Sequence, residues 1–504
     1  MSDRTQSWPV MPLVEALLRF RRSDRISWHM PGHYSGRFWP RGLKTALPDL
    51  DVTELPLTDD LNHPAGPARQ AMRLAADAFG AGITRFITSG STTALHILLA
   101  ATLGRGDCLL LPRCSHQAVL HAVALLDLEP CWLQPAELPD SASRFSLLPQ
   151  ILADTVDSAL RENPRCRAVL VTSPDYYGGC PDLVAIAKAV HRHGAILLVD
   201  EAHGAHLGFA PDMLPPSAMA AGADACVQSG HKTLPVLTPG SYLQISQTAL
   251  AQGSIDAANL ERMIPVFQTS SPSFPVAATL DYARAWLVAE GRRQICYQLD
   301  RLDELAIHLG PDIFCSPRSM RPAPNYPGLR DPLRLIITGA QEQAALPAVA
   351  LADEMAAGGL DVEFADLTRL VLIPSLRQPA AAWRQLARRL RSALSDMPAA
   401  ARDSAAADRR LVLEKTWRHY LTAIPEMAVR PGQVLFQPQQ LQSVPLAQAA
   451  GQISARAVLP YPPGIPLIWP GERFDQPRVD FLRQMLENKI SINGIDQARV
   501  WIIA

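Results

Sequence analysis

The sequence has no long apolar run, no block of like charge and no signal-peptide pattern. No apolar stretch approaches the roughly 20 residues that a membrane-spanning helix needs. The opening, MSDRTQSWPVMPLVEALLRFRR, lacks a signal peptide's order of charge, apolar stretch and cleavage site. A formal net charge of −1 leaves no electrostatic footprint for nucleic acid or an anionic membrane surface. These absences predict a soluble, cytoplasmic enzyme or binding protein with no nucleic-acid or membrane partner.

Cysteine and lysine are both sparse. The eight cysteines include no C-x-x-C pair, and most lie in or beside apolar, strand-like runs, so the pattern predicts reduced, packed thiols. Of the 47 basic residues only five are lysines, at positions 44, 188, 232, 415 and 489. Lys232 lies in VQSGHKTLPVLTPG, between Ser229, His231 and a proline-rich turn. The position of this rare lysine between such residues suggests that its amine has a chemical role.

The length and composition allow a large core and several domains. With 504 residues, of which 48% are hydrophobic, the chain is expected to form two or three domains. We predict an amino-terminal segment at 1–67, a large α/β domain at 68–300, a small α+β domain at 301–400 and a carboxy-terminal domain at 411–504. PAAARDSAAADRR, at 398–410, is the best internal linker candidate.

From about residue 68 to 245, short apolar runs alternate with longer helical patterns, which indicates a mostly parallel α/β sheet. The strand-like runs TRFITSG, DCLLLP, CRAVLVTSP and GAILLVDEAHG are each followed by a helical pattern, the last being MLPPSAMAAGA. Ligands of an open α/β sheet bind beyond the carboxyl ends of its strands, so these four endings should converge on one site. A long helical stretch, 276–309, leads into the small domain.

The strand endings offer groups that together match one cofactor. Lys232 can form an imine with an aldehyde when its amine is partly deprotonated. Asp200 ends a strand where a buried carboxylate needs a cation, such as a protonated pyridine nitrogen. The turn TSGSTTA offers Gly90, Ser91, Thr92 and the unpaired amides of a helix amino terminus, which suit a phosphate. Aldehyde, pyridinium and phosphate are all parts of pyridoxal 5'-phosphate (PLP), so the sequence predicts a PLP site.

Other residues extend this hypothesis. His116, in LPRCSHQ, offers a flat ring that can stack on the pyridine face, and Ser229 and His231 would help to bind the phosphate. Taken singly, such elements are usually ordinary structure: a helix cap, a capping aspartate or a surface His–Lys pair. Their order along one predicted sheet favours the cofactor.

A metal site is the rival interpretation, because four histidines cluster in HRHGAILLVDEAHGAH. His191 and His193 close a helix before the strand, whereas His203 and His206 follow the strand. A strand of roughly 20 Å separates the two pairs. We therefore expect no metal.

The motifs of this chain resemble those of a known family. SPDYYGG, VDEAHGAHLGF, SGHKTLPVLTPGSYL, QTSSPSFPVAATLDYAR and PYPPGIPLIWPGE resemble blocks of the ornithine/lysine/arginine decarboxylases, and MPGHYSGR and DVTELPLTDDLNHPAGPARQAMRLAADAFGA resemble the amino-terminal blocks of that family. The resemblance covers nearly the whole chain. It implies a fold type I, aspartate aminotransferase-like large domain, in the short class that lacks an amino-terminal receiver-like domain.

The resemblance also implies roles for individual residues. It makes Lys232 the imine lysine, Asp200 the partner of the pyridine nitrogen and His116 the stacking ring, and it places His203 beside the cofactor. It assigns the phosphate to Ser91, Thr92, Ser229 and His231. The TSSP segment at 269–272, which includes Ser270, resembles a segment that reaches the phosphate from the neighbouring subunit. A homodimer or higher homo-oligomer with shared active sites is therefore implied.

The chain departs from the family pattern in residues next to the cofactor motifs. Where the family commonly has P-G-H-K, N-C-H-K, S-T-H-K and L-T-Q, this chain has PGHY, CSHQ, SGHK and LTP. The replaced positions are Tyr34, Cys114, Gln117, Gly230 and Pro239. These changes leave the substrate open among arginine, lysine, ornithine and modified relatives.

We expect PLP-dependent decarboxylation of a basic amino acid to an amine and carbon dioxide, which would supply a precursor for polyamine biosynthesis. Lys232 and Cys114 are both candidates for the group that protonates the product. The acidic residues of DVTELPLTDDLNHP are candidate receptors for the substrate's distal cation, although they can equally cap helices or face solvent: Asp51, Glu54, Asp59 and Asp60.

Two alternatives stay open. The first is another PLP-dependent reaction on an amino acid, such as transamination, elimination or oxidative deamination. The second is a non-catalytic PLP-binding regulator or scaffold, for which neither a basic recognition helix nor spare length is evident.

Overall fold

The alternating runs between residues 68 and 245 form a seven-stranded sheet with helices on both faces. In the computed structural model, residues 11–23, 25–136, 144–309, 313–321, 328–339, 345–397, 404–461 and 463–504 are described. The strand order is β2-β9-β8-β7-β5-β3-β4, and β9 alone among these seven runs antiparallel to its neighbours. The strands are β2 (Ile83–Ile87), β3 (Cys108–Pro112), β4 (Glu129–Leu133), β5 (Ala168–Thr172), β7 (Ile196–Asp200), β8 (Ala225–Ser229) and β9 (Ser241–Ile245).

The apolar runs are nearly continuous because both faces of this sheet are covered. In β3, Leu109 and Leu111 pack with helices on one face, whereas Cys108 and Leu110 pack with helices on the other. The helices of the large domain are α3 (Pro67–Phe79), α4 (Ser91–Thr102), α5 (Gln117–Leu125), α6 (Ala153–Glu162), α7 (Leu183–Arg192), α8 (Gly230–Thr233), α9 (Gln247–Gln252), α10 (Ala257–Phe267) and α11 (Phe274–Trp286).

Two details of the sequence prediction are wrong. The segment MLPPSAMAAGA, 213–223, forms turns and bends instead of a helix, because Pro215 and Pro216 lack backbone donors. The 398–410 segment is not a linker throughout. Its first part, 398–403, lies outside the described residues, but a helix begins at Ser404. The run of alanine and arginine there has a high helix propensity.

The amino-terminal segment joins the small domain. It contains α1 (Pro12–Arg22), β1 (Ile26–Trp28), α2 (Arg41–Ala46) and a 3₁₀ turn at Leu47–Leu50. Strand β1 pairs in parallel with β13 (Leu360–Val362) of the small domain. Trp28 is fully buried and meets Trp383 edge to face at 4.7 Å. These contacts tie the start of the described chain to residues more than 300 positions later.

The long helical stretch predicted at 276–309 is confirmed. Helix α11 continues through one π-helical segment, Leu287–Gly291, into α12 (Arg292–Leu309). The small domain then forms a four-stranded antiparallel sheet of order β10-β12-β15-β14. Its elements are β10 (Ile313–Cys315), β12 (Leu335–Gly339), α13 (Ala348–Ala357), β14 (Phe364–Ala365), β15 (Leu370–Leu372) and α14 (Ala380–Asp396); β11 (Leu329–Arg330) pairs instead with β6 (Gly179–Cys180).

The carboxy-terminal region packs against both preceding domains. It contains a three-stranded sheet, β16-β20-β17, and the pair β18-β19. Its elements are α15 (Ser404–Thr422), α16 (Pro431–Phe436), β16 (Leu441–Pro445), a 3₁₀ turn at Leu446–Gln448, β17 (Ile453–Ser454), β18 (Leu459–Pro460), α17 (Gln476–Glu487), β19 (Ile492–Asn493) and β20 (Arg499–Ile503). The domain limits given above stay a prediction. None of the helices described is long and apolar enough to cross a bilayer.

The expectation that every cysteine is a reduced thiol is also corrected. Cys108 and Cys166 are joined by a disulfide across Cα atoms 4.7 Å apart. Cys108 begins β3 and Cys166 precedes β5, and these neighbouring parallel strands run side by side at the usual spacing. Because the two cysteines are 58 residues apart in the sequence, no local pattern predicts that they are close in space. The other six cysteines are free thiols.

A buried charge cluster joins the small domain to α15. Arg369, which is 2% exposed, forms ion pairs with Asp366 at 2.9 Å and with Glu414 at 2.5 Å. Burial would raise the pKa of Glu414, but Arg369 and Arg418 hold it below the usual value. The carboxylate therefore stabilises the fold at neutral pH and loses that contribution as the pH falls through its lowered pKa.

We predict that Arg369→Met lowers the free energy of unfolding by about 3–5 kcal/mol at neutral pH, because it leaves two buried carboxylates without this cation. The difference from wild type should shrink in acid, as Glu414 becomes protonated. Denaturant titrations at several pH values measure both effects. The matched control is Arg105→Met, which breaks the exposed pair with Asp127 and should cost about 0–1 kcal/mol. Equal losses for the two variants would contradict the prediction.

Candidate active site

A pocket lies at the carboxyl ends of the parallel strands, where the sequence predicts a site. Segments that follow β2, β3, β5, β7 and β8 contribute to its wall, and the carboxy-terminal region closes one side. Its lining includes Ser91, Thr92, Cys114, His116, Gln150, Thr172, Asp175, Tyr176, Asp200, Ala202, His203, Lys232, Pro463 and Ile465. Six of the ten predicted site residues are therefore brought together by this wall.

Three more predicted residues lie directly behind the lining. Ser229 is fully buried, and its Oγ donates to Ser91 Oγ at 2.7 Å. Gly90 precedes α4 with φ of 93°, and no side chain caps the amides of this helix. A Cβ at Gly90 would be strained by that φ and would meet Pro239 at 3.3 Å. The result is a helix amino terminus with free donors and two hydroxyls, which fits a phosphate.

His231 also lies beside the pocket. Its Nδ1 donates to the Gly240 carbonyl at 3.1 Å, so Nε2 of the neutral ring is an acceptor. Burial lowers the pKa of His231 to about 4. A hydrogen bond from Nε2 to a phosphate therefore requires a protonated ring. The negative charge of a bound phosphate would favour that form by raising the pKa of His231.

The Lys232 amine is held at the end of a chain of buried groups. Its Nζ lies 3.0 Å from His203 Nε2, and His203 Nδ1 lies 2.6 Å from Arg334 Nη2. A guanidinium can only donate, so Nδ1 of His203 accepts and the ring proton resides on Nε2. That proton points at Nζ, and the neutral form of the amine can accept it. Burial lowers the pKa of Lys232 to about 8, with the Arg334 cation adding to the effect and Asp200 opposing it.

Asp200 is the last residue of β7 and is 4% exposed. Its Oδ1 accepts from the Ala202 amide at 3.1 Å. Among the described residues no ion pair includes Asp200, and burial raises its pKa although Lys232 and the Ala202 amide lower it. A buried carboxylate in this condition fits a cationic ring nitrogen, because a cation in the pocket would relieve the cost of burial.

His116 is positioned by the first turn of α5 and by the loop that contains Gly464. Its Nδ1 accepts from the Ala118 amide at 3.2 Å and so caps α5. Burial lowers its pKa to about 4, which keeps the ring neutral and suited to stacking. Gly464, with φ of 77°, lies so close that a Cβ there would meet His116 Nε2 at 3.2 Å. A glycine at this point lets the carboxy-terminal loop approach the ring.

A buried ion pair holds that loop in place. Arg113 donates to Glu472 at 2.7 Å and to the Pro466 and Leu467 carbonyls at 3.0 and 3.3 Å. Glu472 also accepts from the Trp469 amide at 2.6 Å. Both charged side chains are at most 1% exposed, so separating them would leave an unpaired buried charge.

Sequence reasoning missed several residues of the site. Thr172 ends β5 and lines the pocket, and its Oγ1 has no hydrogen-bond partner among the described residues. Tyr176 packs edge to face on His203 at 4.8 Å and donates to Glu363 Oε1 at 2.8 Å. SPDYYGG is a visible signal for Tyr176. Nothing local marks Arg334 or Glu363, which belong to the small domain.

The structure does not bring Ser270 to the pocket of its own chain: residues 269–271 are exposed. The four acidic residues are likewise absent from the described lining. Asp59 accepts from the Gly66 and Ala68 amides at 2.6 and 3.1 Å, and Asp60 accepts from the Asn62 amide at 2.7 Å. Asp59 and Asp60 thus serve the turn before α3.

The positions that depart from the family pattern have local roles in the structure. Burial raises the pKa of Cys114 to about 12, so this pocket residue stays a thiol. The backbone amide of Gln117 donates to the Gly464 carbonyl at 3.1 Å. At Gly230 a Cβ would lie 3.0 Å from Leu280 and Val236. Tyr34 lies under the Arg37 guanidinium at 4.7 Å, and Pro239 follows a cis peptide bond.

The four clustered histidines separate as the spacing predicts. His191 and His193 contact Asp224 and Asp157, at 2.8 and 3.0 Å, before β7. Beyond β7, His203 contacts Lys232, and His206 lies 3.2 Å from Asp331. The four rings therefore have different partners at opposite ends of the strand.

Comparison with known proteins identifies the family. The model of the Orn/Lys/Arg decarboxylase major domain matches residues 11–307, and that of the Orn/Lys/Arg decarboxylase carboxy-terminal domain matches 413–497. The chain belongs to the Orn/Lys/Arg decarboxylase family. This membership implies PLP as the cofactor, and the residues around Lys232 fit it.

Curated relatives of this family member span nearly its whole length. The chain is 31% identical to the uncharacterized protein YaaO of Bacillus subtilis, over 96% of each chain. It is 30% identical to an arginine decarboxylase of Bacillus anthracis, over 96% of this chain and 94% of that protein. Lysine decarboxylase LdcA of Pseudomonas aeruginosa is 24% identical over 92% of this chain and 74% of that protein.

Solved structures confirm the fold. The Francisella novicida lysine decarboxylase LdcF superposes with a TM-score of 0.75 at 18% identity, over 98% of this chain and 81% of that chain. The constitutive lysine decarboxylase of Escherichia coli gives 0.74 at 21% identity, over 98% and 82%. The predicted fold type I architecture, with a mostly parallel sheet and a smaller carboxy-terminal domain, is confirmed.

The Arg334–His203–Lys232 chain predicts opposite effects of two substitutions on Lys232. Arg334→Leu removes a cation and should raise the pKa of Lys232 above about 8, whereas Asp200→Asn removes an anion and should lower it. The neutral amine is the reactive form. The pH at which modification of Lys232 becomes fast should therefore be higher in Arg334→Leu and lower in Asp200→Asn than in the wild type. Amine-reactive labelling of the cofactor-free protein at a series of pH values, read by mass spectrometry, measures this shift.

Lys188 is exposed and serves as an internal control, since its labelling should not change in either variant. Shifts of the same sign for Lys232 in both variants would contradict the arrangement.

Proposed function

We propose that the protein is a PLP-dependent decarboxylase that converts a basic amino acid of the arginine, lysine or ornithine type to its amine and carbon dioxide. One observation carries this proposal: Lys232, Asp200, His116 and the uncapped amino terminus of α4 face a single pocket. PLP, when bound, supplies an electron sink for the pair left behind by departing carbon dioxide. In a cytoplasmic setting, the amine would serve polyamine biosynthesis.

The residues of the chain would divide the work of holding this cofactor. The α4 amides, with Ser91, Thr92 and Ser229, would bind the phosphate. Asp200 would keep a proton on the pyridine nitrogen, which maintains the ring as a good electron acceptor. His116 would cover one ring face, held there by the Gly464 loop.

Lys232 is suited to bind an aldehyde because its lowered pKa leaves a useful fraction of neutral amine near pH 7. His203 would direct a proton towards that nitrogen through Nε2. Two groups can protonate the product carbon. Lys232 is one, and Cys114, which lines the pocket as a protonated thiol, is the other.

Transamination is the main alternative, and it would be favoured by an arginine placed to grip the substrate carboxylate. No arginine is among the lining residues that the structure describes. Arg334 is a buried candidate that contacts a pocket residue, but its Nη2 is directed to His203. This arrangement supports decarboxylation, because the carboxylate must be free to leave.

Shared active sites are supported by two exposed surfaces. The TSSP segment and the acidic turn lie together, since Asn62 Nδ2 donates to the Thr269 carbonyl at 3.1 Å. Neither lines the pocket of its own chain. Helix α1 has no buried residue and exposes large apolar side chains: Leu13, Val14, Leu17, Leu18 and Phe20. We propose a homodimer in which the TSSP segment and the acidic turn of one subunit complete the site of the other.

The reaction is tested by incubating pure protein and PLP with arginine, lysine, ornithine and neutral and acidic controls. Carbon dioxide and an amine should form from a basic amino acid and be absent with Lys232→Ala. Borohydride reduction followed by peptide mapping should fix PLP on Lys232. Fixation on Lys188 or Lys415 would refute the assignment, and a keto acid product would favour transamination.

Shared sites predict complementation between two inactive variants. Lys232→Ala lacks the amine, and T269A/S270A/S271A lacks the hydroxyls of the TSSP segment. Equal mixing with subunit exchange should restore about a quarter of wild-type activity, because half of the dimers are hybrids with one intact site. Mixing Lys232→Ala with Lys232→Met is the control and should restore nothing. A fully active monomer in sedimentation would exclude the shared-site proposal.

A further inference from the structure

Three cysteines meet at the end of the sheet opposite the pocket. Cys108 begins β3, Cys131 is the third residue of β4, and Cys166 lies two residues before β5. Their sulfur atoms all lie within 4.8 Å of one another, and Cys131 Sγ is 2.6 Å from Cys108 Sγ. The lysine pocket follows the carboxyl end of the same β3, about 16 Å away along a five-residue strand.

The sheet order explains why residues so far apart in sequence converge. Strand β3 lies between β4 and β5 and is parallel to both. Cys131 pairs with Leu110, which shares the face of Cys108, and Cys166 enters the sheet beside the start of β3. The three side chains therefore project to one face, where the usual strand spacing of about 4.8 Å holds them together.

The surroundings give this cluster an apolar floor and one open side. Cys108 and Cys166 are 4% and 5% exposed and pack with Val156 and Leu160 of α6. Cys131 is partly exposed. A small ion could therefore enter from the side of Cys131 without opening the core.

The disulfide between Cys108 and Cys166 uses two of the three sulfur atoms. It does not explain why Cys131 lies beside them. A redox switch is disfavoured, since reactive cysteines occupy electropositive, accessible sites, whereas two of these are buried among apolar side chains. A metal ion would instead use all three sulfur atoms of the reduced chain, because it displaces the thiol protons on binding.

We propose that the reduced chain binds one thiophilic metal ion of the Zn²⁺ or Cu⁺ class through Cys108, Cys131 and Cys166. Three thiolates form a soft ligand set that selects such ions over Mg²⁺ or Ca²⁺. Three protein ligands around Zn²⁺ leave a fourth position for solvent. The site is separate from the lysine pocket and does not depend on the proposed decarboxylation.

The ion and the disulfide exclude each other. Opening the Cys108–Cys166 bond takes two electrons and two protons, which a phosphine reductant with water supplies in the experiment while it becomes a phosphine oxide. The two thiols that form, with Cys131, then lose their protons to the solution as the ion binds.

The experiment uses the full-length protein with PLP bound, reduced with a phosphine and freed of reductant and metal without oxygen. Titration with Cd²⁺, a spectroscopic probe of thiolate sites, should give an ultraviolet thiolate-to-metal band that saturates at one ion per chain. Zn²⁺ should compete for the same site. Unreduced protein that retains the disulfide should give no such saturation.

The variants decide whether all three cysteines take part. Cys131→Ser and Cys131→Ala change a partly exposed residue and should weaken Cd²⁺ binding by at least ~100-fold, since even indirect partners of a metal site cost 10- to 100-fold. Cys296→Ser changes a thiol of similar exposure elsewhere and should bind Cd²⁺ as wild type does. Absence of the band in reduced wild type, or unchanged affinity in both Cys131 variants, would overturn the proposal.

Discussion

The charge state of one buried amine governs the arrangement of the pocket. Lys232 lies where an ammonium would be poorly solvated, and burial lowers its pKa to about 8. Arg334 sets the tautomer of His203 by donating to Nδ1, and His203 then presents a proton to Lys232. In its neutral form the amine can accept this hydrogen bond, and the same neutral form is the one that can bond to a carbonyl carbon. Asp200 opposes this effect from the end of the neighbouring strand, and the balance keeps Lys232 near its point of half-protonation at mildly alkaline pH.

The domains meet around this amine, and each contributes different residues to the pocket and its surroundings. The parallel sheet supplies Asp200 and the approach to Lys232, because the carboxyl ends of its strands converge. The small domain supplies Arg334, and the carboxy-terminal region supplies the loop beside His116. The buried Arg113–Glu472 pair fastens that loop to the strand end from which His116 follows. Loss of packing between domains would therefore disturb the pocket as well as the core.

The same strand carries two different kinds of chemistry at its two ends. At its amino end β3 presents Cys108 to two other cysteines, Cys131 and Cys166, among apolar side chains. Beyond its carboxyl end the chain continues to Cys114 and His116 at the lysine pocket. The rigid sheet keeps the two places apart, so that a change in the thiols need not alter the pocket directly. Cys108 and Cys114 differ by only six positions, yet their surroundings give them unrelated roles.

The sequence by itself determined the α/β alternation, the position of Asp200 at the end of a strand, the position of Lys232 just after one, and the strand-to-helix turn of Gly90, Ser91 and Thr92. These features depend on local periodicity and on residue type at the end of a strand. It did not reveal Arg334, Glu363 or Gly464, which contact the pocket residues His203, Tyr176 and His116 from other domains. It also misjudged Cys108 and Cys166, whose proximity depends on strand order. Which residues come together across the sheet and between domains depends on how whole apolar faces pack. No local sequence pattern contains that information. The tautomer of His203 and the pKa of Lys232 follow from this packing, so only the tertiary structure decided the chemical state of the pocket.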